Sequence, residues 1–261
     1  KEEIEELKLN YVALVRLCDE QLGRVLDYFD AENLWSDTAL IMTTDHGFLL
    51  SEHEWWAKNR MPFFNEIAHI PLMIYHPEMT LKGGTHICAL TQTIDLMPTY
   101  LDLYGLTPSS EVQGKSLLPL LFGDVKNIRN LALYGIFGGA LNVTDGRYTY
   151  FRYPENMENK ELYEYTLMPM HNRSLFEIRE LIPAELYHGF SFTKGAPLMR
   201  MPALKDAKRS PRQGGFADTK TMLFDLKNDP EQNLSFRDKE LELDLCKKIK
   251  LYKNIKTSIQ K

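Results

Sequence analysis

Three cysteines in 261 residues are too few and too scattered to organise this chain. Cys18, Cys88 and Cys246 are odd in number and form no metal-ligand pair, so no disulfide framework is expected. That count suits a cytosolic protein and equally a secreted one that does not depend on disulfides. Long apolar runs are lacking too. None approaches the roughly 20 residues needed to cross a bilayer, so no membrane partner is expected. Neither sign of charge is in excess: Lys and Arg total 31, Asp and Glu 36, and the formal net charge is −5. Nothing global draws nucleic acid or anionic lipid, and any anion site must be local. No signal peptide precedes the first helical pattern. The chain opens on Lys1 and KEEIEELKLNYVALV instead of an initiator Met, so it is expected to begin inside a longer gene product. Its address, cytoplasmic or periplasmic or secreted, stays open.

What is present is ordinary for a globular protein: 44% hydrophobic and 26% charged residues, in a length that buries one large core or two small ones. Asn-X-Ser/Thr sequons begin at Asn142, Asn172 and Asn233 and are read as chance occurrences. From Leu7 to Phe29, apolar residues step by three and four and predict an amphipathic helix. Thr38–Thr44 and Pro71–Tyr75 are short apolar runs without alternation, which predicts strands buried on both faces, as in a parallel sheet. Thr93 to Leu103 reads as a helix, with Gly105 just past its end. After Gly123 the texture changes. Leu131–Ile136 and Ala140–Thr144 predict strands, and Asp145-Gly146 a hairpin turn into Tyr148–Arg152. Leu223–Leu226 and a helix from Asp238 to Ile255 close the chain. The expected fold class is α/β: a partial, mostly parallel sheet with helices, then a smaller antiparallel sheet plus helix. Residues 1–123 and 124–261 are taken as the two domains, with a loop-rich insertion at about 158–218.

The densest chemical signal is TTDHGFLLSEHEWWAK, residues 43–58. In an open α/β sheet, ligands bind beyond the carboxyl ends of strands. Asp45 and His46 stand where such a run gives out, and Gly47 would let the backbone turn so that both aim at one point. A carboxylate and an imidazole so placed suit a divalent cation. A bare Asp-His-Gly is more often a polar turn; its context favours the functional reading.

That context resembles the sulfatase family within the alkaline-phosphatase superfamily, iduronate-2-sulfatase-like members in particular. Asp45-His46-Gly47, Ser51-Glu52-His53, Trp56-Ala57-Lys58 and His69-Ile70-Pro71-Leu72 carry the resemblance, in order. Tyr11 to Leu26, Thr93–Thr99, Gly105-Leu106, Gly114–Leu117, Leu223–Leu226 and Asn228-Asp229-Pro230 extend it. The resemblance implies an alkaline-phosphatase-like sheet, of which this chain holds the C-terminal part. It implies that Asp45 and His46 are two of the metal ligands. The metal would be calcium, although an imidazole ligand suits other divalent metals better. Lys58 would contact the sulfate and offset transition-state charge. His53 would touch substrate or order its loop, since Ser51 and Glu54 replace the glycines of the family's Gly-Glu-His-Gly stretch.

The resemblance also exposes a gap. The family's formylglycine nucleophile is made within a Cys/Ser-X-Pro/Ala-X-Arg motif, and no cysteine or serine here fits it. It and the first aspartate pair of the metal site are expected upstream, in a missing N-terminal half. The parent protein is thus expected to be a sulfuric-ester hydrolase acting on a sulfated sugar or glycan, with this chain alone inactive. Phosphonate or phosphodiester hydrolysis, and glycan binding without turnover, are the alternatives. Arg200, Lys205, Lys208, Arg209 and Arg212 form a basic cluster, read first as solvated charge and second as a subsite for glycan sulfates, with Tyr187, Phe190 and Phe192 nearby.

Overall fold

The computed structural model describes residues 2–58, 62–135, 141–153, 163–168, 170–171, 174–202 and 220–258. The chain divides into two compact units, Lys1–Ala132 with Asp229–Asn233, and Leu133–Asn228 with Leu234–Lys261.

The first unit opens with α1, Glu2–Ala31, whose first turn carries Glu2, Glu3 and Glu5 against the positive end of the helix dipole. Its apolar stripe does not close a core. Leu7, Leu14, Val15, Cys18 and Val25 are exposed, and Phe29 is the buried residue of the helix. The helix end is fixed by aromatic packing: Phe29 lies 4.8 Å from Trp35, which meets Tyr75 edge-on at the same distance. Trp35 donates from Nε1 to Asp30 at 2.7 Å, and the Tyr75 hydroxyl donates to the Trp35 carbonyl at 2.6 Å.

Next come β1 (Leu40–Thr43), β2 (Leu49–Leu50), β3 (Trp56–Ala57), a single helical turn α2 (Asn65–Ala68) and β4 (Leu72–Tyr75). The expected parallel arrangement is corrected here. β1 and β4 pair antiparallel, Leu40 opposite Tyr75 and Thr43 opposite Leu72, and neither is fully buried. An apolar run signals a strand but carries no information about its partner's direction. β2 and β3 form a minimal hairpin, Leu49 opposite Ala57 and Leu50 opposite Trp56.

A 3-10 turn, Thr93–Asp95, leads into α3 (Leu96–Leu103), which ends as expected with Gly105 at φ 64° and Leu106 donating back to the Leu101 carbonyl at 2.8 Å. α4, Leu118–Leu121, follows. A buried ion pair ties this region together. Asp95 accepts from the backbone N–H groups of Gln92 (2.7 Å) and Lys115 (2.8 Å) and, through both oxygens, from the Arg129 guanidinium.

In the second unit, β5 (Ala132–Gly135), β6 (Leu141–Thr144), β7 (Tyr148–Arg152) and β11 (Met222–Asp225) make a four-stranded sheet in the order β11-β7-β6-β5. β7 runs antiparallel to both neighbours. The Asp145-Gly146 turn forms as the sequence predicts: Gly146 takes φ 92°, and Asp145 Oδ1 accepts from the amides of Arg147 (3.0 Å) and Tyr148 (2.8 Å). The closing helix α6, Lys239–Ser258, buries Leu245 and Ile249. Its Glu242 accepts from the Tyr150 hydroxyl at 3.3 Å, and burial pushes that phenol up to about 12.

The stretch at 158–218 is not simply loop. Its described residues include β8 (Tyr163–Thr166), α5 (Ile178–Leu181), β9 (Glu185–Tyr187) and β10 (Leu198–Pro202). The three strands form an antiparallel sheet ordered β8-β10-β9. Its Pro, Gly and Met content hid short strands whose side chains alternate, as in Tyr-Glu-Tyr-Thr.

Candidate functional site

Beyond Thr43 the strand gives out, and the chain places Asp45 and His46 side by side. The His46 amide donates to Asp45 Oδ1 at 3.0 Å. The imidazole Nδ1 lies 2.8 Å from the Gly47 carbonyl. A carbonyl only accepts, so Nδ1 carries the proton and Nε2 presents a lone pair. That lone pair sits 3.2 Å from Asp45 Oδ2 and 2.6 Å from Lys58 Nζ. Asp45 is 82% exposed and His46 27%. Desolvation is the largest single influence on the Asp45 pKa and pushes it up. Hydrogen bonds from its own and the His46 amide, with the charge of Lys58, outweigh this and hold it below the usual carboxylate range.

Gly47 is required, but not for the reason expected of it. Its φ is not positive. Its amide donates to the Ile67 carbonyl at 2.9 Å, and a Cβ there would stand 1.7 Å from the Glu66 carbonyl oxygen. Close approach to α2, not a left-handed turn, excludes a side chain.

Lys58 arrives by the β2–β3 hairpin, whose connection is tight and strained. Ser51 (φ 85°), His53 (φ 53°), Glu54 (φ 61°) and Ala57 (φ 71°) all occupy the left-handed side. Two of these, Ser51 and Glu54, are the positions where the sequence departs from the family's glycines. Across the hairpin the Ser51 amide donates to the Trp55 carbonyl at 3.0 Å, and Glu52 takes the Leu50 amide at 2.5 Å.

The structure therefore brings Asp45, His46 and Lys58 together. His53 lies elsewhere in the same unit: its ring stacks on Phe64 at 3.7 Å and 12°, and its Nε2 is 3.4 Å from Glu66 Oε1. His69 closes α2 as its C-cap. Two contributing residues, Glu66 and Gln232, carry no local sequence signal. Gln232 is buried and accepts the Asn65 amide at 2.6 Å, capping α2 from 167 positions away.

The pair fits half of a cation site. Two ligands at right angles, each about 2.4 Å from one ion, lie about 3.4 Å apart, close to the separation of these donors. The Lys58 ammonium already faces the His46 lone pair, so the position accommodates positive charge. Calcium needs about six to eight oxygen ligands. Among the described residues no group of three or more His, Cys, Asp or Glu side chains converges to hold a metal.

Of the basic cluster, only Arg200 falls within the described residues. Lys205, Lys208, Arg209 and Arg212 lie outside them. Arg200 is paired with Glu185 and spreads over the rings of Tyr163 and Tyr187. Tyr187 packs on Phe190, which in turn stacks on Phe192 at 5.2 Å. Of the three sequons, Asn142 is fully buried within β6, Asn233 is exposed, and Asn172 lies outside the described residues.

Residues 51–186, slightly over half of the chain, match the family described as "N-sulphoglucosamine sulphohydrolase, C-terminal". This chain belongs to the sulfatase family of the alkaline-phosphatase superfamily. It corresponds to the C-terminal region of that family. The sulfatase match continues in curated relatives. The chain is 36% identical over 117 residues to the N-acetylglucosamine-6-O-sulfatase of Bacteroides thetaiotaomicron, covering 45% of this chain and 20% of that protein. It is 34% identical over 119 residues to the multifunctional alkaline phosphatase superfamily protein PehA of Trinickia caryophylli, covering 46% and 23%. Among solved structures, one in complex with its substrate D-glucosamine-2-N,6-O-disulfate aligns with a TM-score of 0.57 at 18% identity, over 93% of this chain and 38% of that one. That last likeness shows the alkaline-phosphatase-type fold. The sulfatase chain spans well under half the length of any of these proteins.

Proposed function

We propose that this chain is the C-terminal part of a sulfatase that hydrolyses the sulfate esters of a sulfated sugar or glycan. The observation that carries this reading is the convergence of Asp45, His46 and Lys58 at one strand end, with Lys58 Nζ 2.6 Å from His46 Nε2. Residues 1–123 belong to the catalytic domain on this reading, and 124–261 form a C-terminal subdomain. The exposed apolar residues along α1 support a further part of the same protein packing there.

Asp45 and His46 would hold a divalent cation, calcium in the first instance, together with ligands from outside this chain, the cation taking over the Nε2 lone pair that Lys58 meets here. When bound, that cation supplies positive charge against the sulfate oxygens. Lys58 donates hydrogen bonds to a sulfate oxygen or to the oxygen that leaves, offsetting charge that grows in the transition state. The proton on Nδ1 fixes the His46 ring by its bond to the Gly47 carbonyl, so Nε2 stays turned to the site. Asp45 is held ionised by the hydrogen bonds and positive charge around it, ready to face a cation. A formylglycine nucleophile would come from sequence beyond this chain, which lacks the Cys/Ser-X-Pro/Ala-X-Arg motif. The 261-residue chain alone is therefore expected to release no sulfate.

Similarity to PehA, a multifunctional member of the same superfamily, supports a second reading in which the half-site serves a different hydrolysis; we take a phosphonate monoester or phosphodiester as its substrate, the alternative the sequence resemblance offers. The test is to express the entire reading frame that encodes this chain and measure inorganic sulfate released from sulfated glucosamine. Sustained release supports the sulfatase. No release, with turnover of a phosphonate monoester instead, supports the second reading and sinks the first.

A further inference from the structure

Glu66 touches both arms of the site without belonging to either. Its backbone carbonyl lies directly against Gly47, the residue after His46, and its neighbour Ile67 accepts the Gly47 amide at 2.9 Å. Its side chain points the other way along the hairpin, with Oε1 3.4 Å from His53 Nε2. His53 sits in the strained connection between β2 and β3, four residues before the end of the hairpin that delivers Lys58. Its side chain is only 8% exposed and lies flat on Phe64, the residue that opens α2. Among the described residues, neither His53 Nε2 nor Glu66 Oε2, both buried atoms, has a hydrogen-bond partner. A buried imidazole beside a half-buried carboxylate at ion-pair distance is costly unless the two face one another. They therefore hold the hairpin tip against α2 while α2 holds the His46 turn.

We propose that His53 and Glu66 form a positioning pair, bracketed by α2, that keeps Lys58 in register with His46. The role of His53 is then neither substrate contact nor general loop order. It acts on the reaction only through where it leaves the Lys58 ammonium. The inference rests on reading Asp45, His46 and Lys58 as one site, but its test needs no substrate and no metal. A failure here leaves the sulfatase reading standing, and a failure there leaves this geometry standing.

The experiment uses the full chain with three single variants. His53→Phe keeps the stack on Phe64 and removes Nε2. Glu66→Gln keeps the shape and removes the charge. His53→Gln restores a nitrogen near the Nε2 position. Circular dichroism reports folding, the ¹⁵N imidazole resonances report His46, and mass-resolved acylation by acetic anhydride reports Lys58. In folded His53→Phe and Glu66→Gln, the His46 Nε2 resonance is expected to move to that of an unbonded acceptor. Lys58 is expected to acylate about fivefold faster, the factor set by loss of one ordinary hydrogen bond. His53→Gln recovers most of both signals. Folded variants with wild-type His46 and Lys58 readouts would overturn the proposal. So would loss of the fold in both His53→Phe and Glu66→Gln, because the pair would then be a stability element and nothing more.

Discussion

Removing the Arg129 guanidinium should cost more than any surface charge in the chain. Asp95 is 0% exposed and the Arg129 side chain 4%, and the carboxylate draws together three segments: the turn at Gln92, the loop at Lys115 and Arg129 itself. Arg129→Ala leaves that carboxylate buried with two amide donors and no countercharge. Breaking such a pair by removing one partner costs about 3–5 kcal/mol. With a urea dependence of about 2 kcal/mol per molar, the unfolding midpoint should fall by about 1.5–2.5 M. The double variant Asp95→Asn/Arg129→Met removes both charges and leaves no charge buried alone, at the smaller cost of one amide acceptor. It should therefore lose less than Arg129→Ala alone, a sign of coupling that an ordinary packing defect would not give. The assay is equilibrium urea denaturation of the three proteins. A drop below about 0.5 M for Arg129→Ala, the equivalent of about 1 kcal/mol, would refute the claim that this pair organises the region.

Three further outcomes follow from the same geometry. Ser51→Gly relieves a φ of 85° and should stabilise by about 0.5–1 kcal/mol, read as a higher Tm; a lower Tm would show the position is not strained. Gly47→Ala forces a methyl into the Glu66 carbonyl, so the variant should lose the His46–Lys58 contact or fail to fold; an unchanged His46 imidazole spectrum would contradict this. Asp225 is held below the usual carboxylate range, first by the Arg147 hydrogen bond at 3.2 Å, with desolvation opposing it. A depressed folded-state pKa contributes stability above the unfolded value, lost as pH falls through the folded one. The stability gap between wild type and Asp225→Asn should thus be full at about pH 6 and shrink toward about pH 3, and a constant gap would be the contrary result.

The sequence made the local parts of this molecule legible. Step-by-three spacing marked α1, Asp145-Gly146 marked the hairpin, and the abrupt end of an apolar run at Asp45-His46 marked the strand end where Lys58 meets them. Each of these is decided by neighbours within a few residues. What stayed hidden depends on distance along the chain. Arg129 meets Asp95 across 34 positions and Gln232 caps α2 across 167, and neither leaves a pattern where it stands. Strand direction is equally invisible, which is why β1 and β4 read as parallel and pair antiparallel. The glycine of Asp-His-Gly was seen to matter, but only the approach of the Glu66 carbonyl shows why. The α1 stripe was read correctly as apolar, yet periodicity does not show whether anything covers it.

The central claim is that Asp45, His46 and Lys58 form the C-terminal half of a sulfate-ester site. It is tested most directly by sulfate release from sulfated glucosamine by the protein of the entire reading frame, wild type against Lys58→Ala. The account predicts a loss of about 10²–10³ in kcat with the fold intact, the scale on which a single donor to developing charge acts. Equal rates for the two proteins would contradict it.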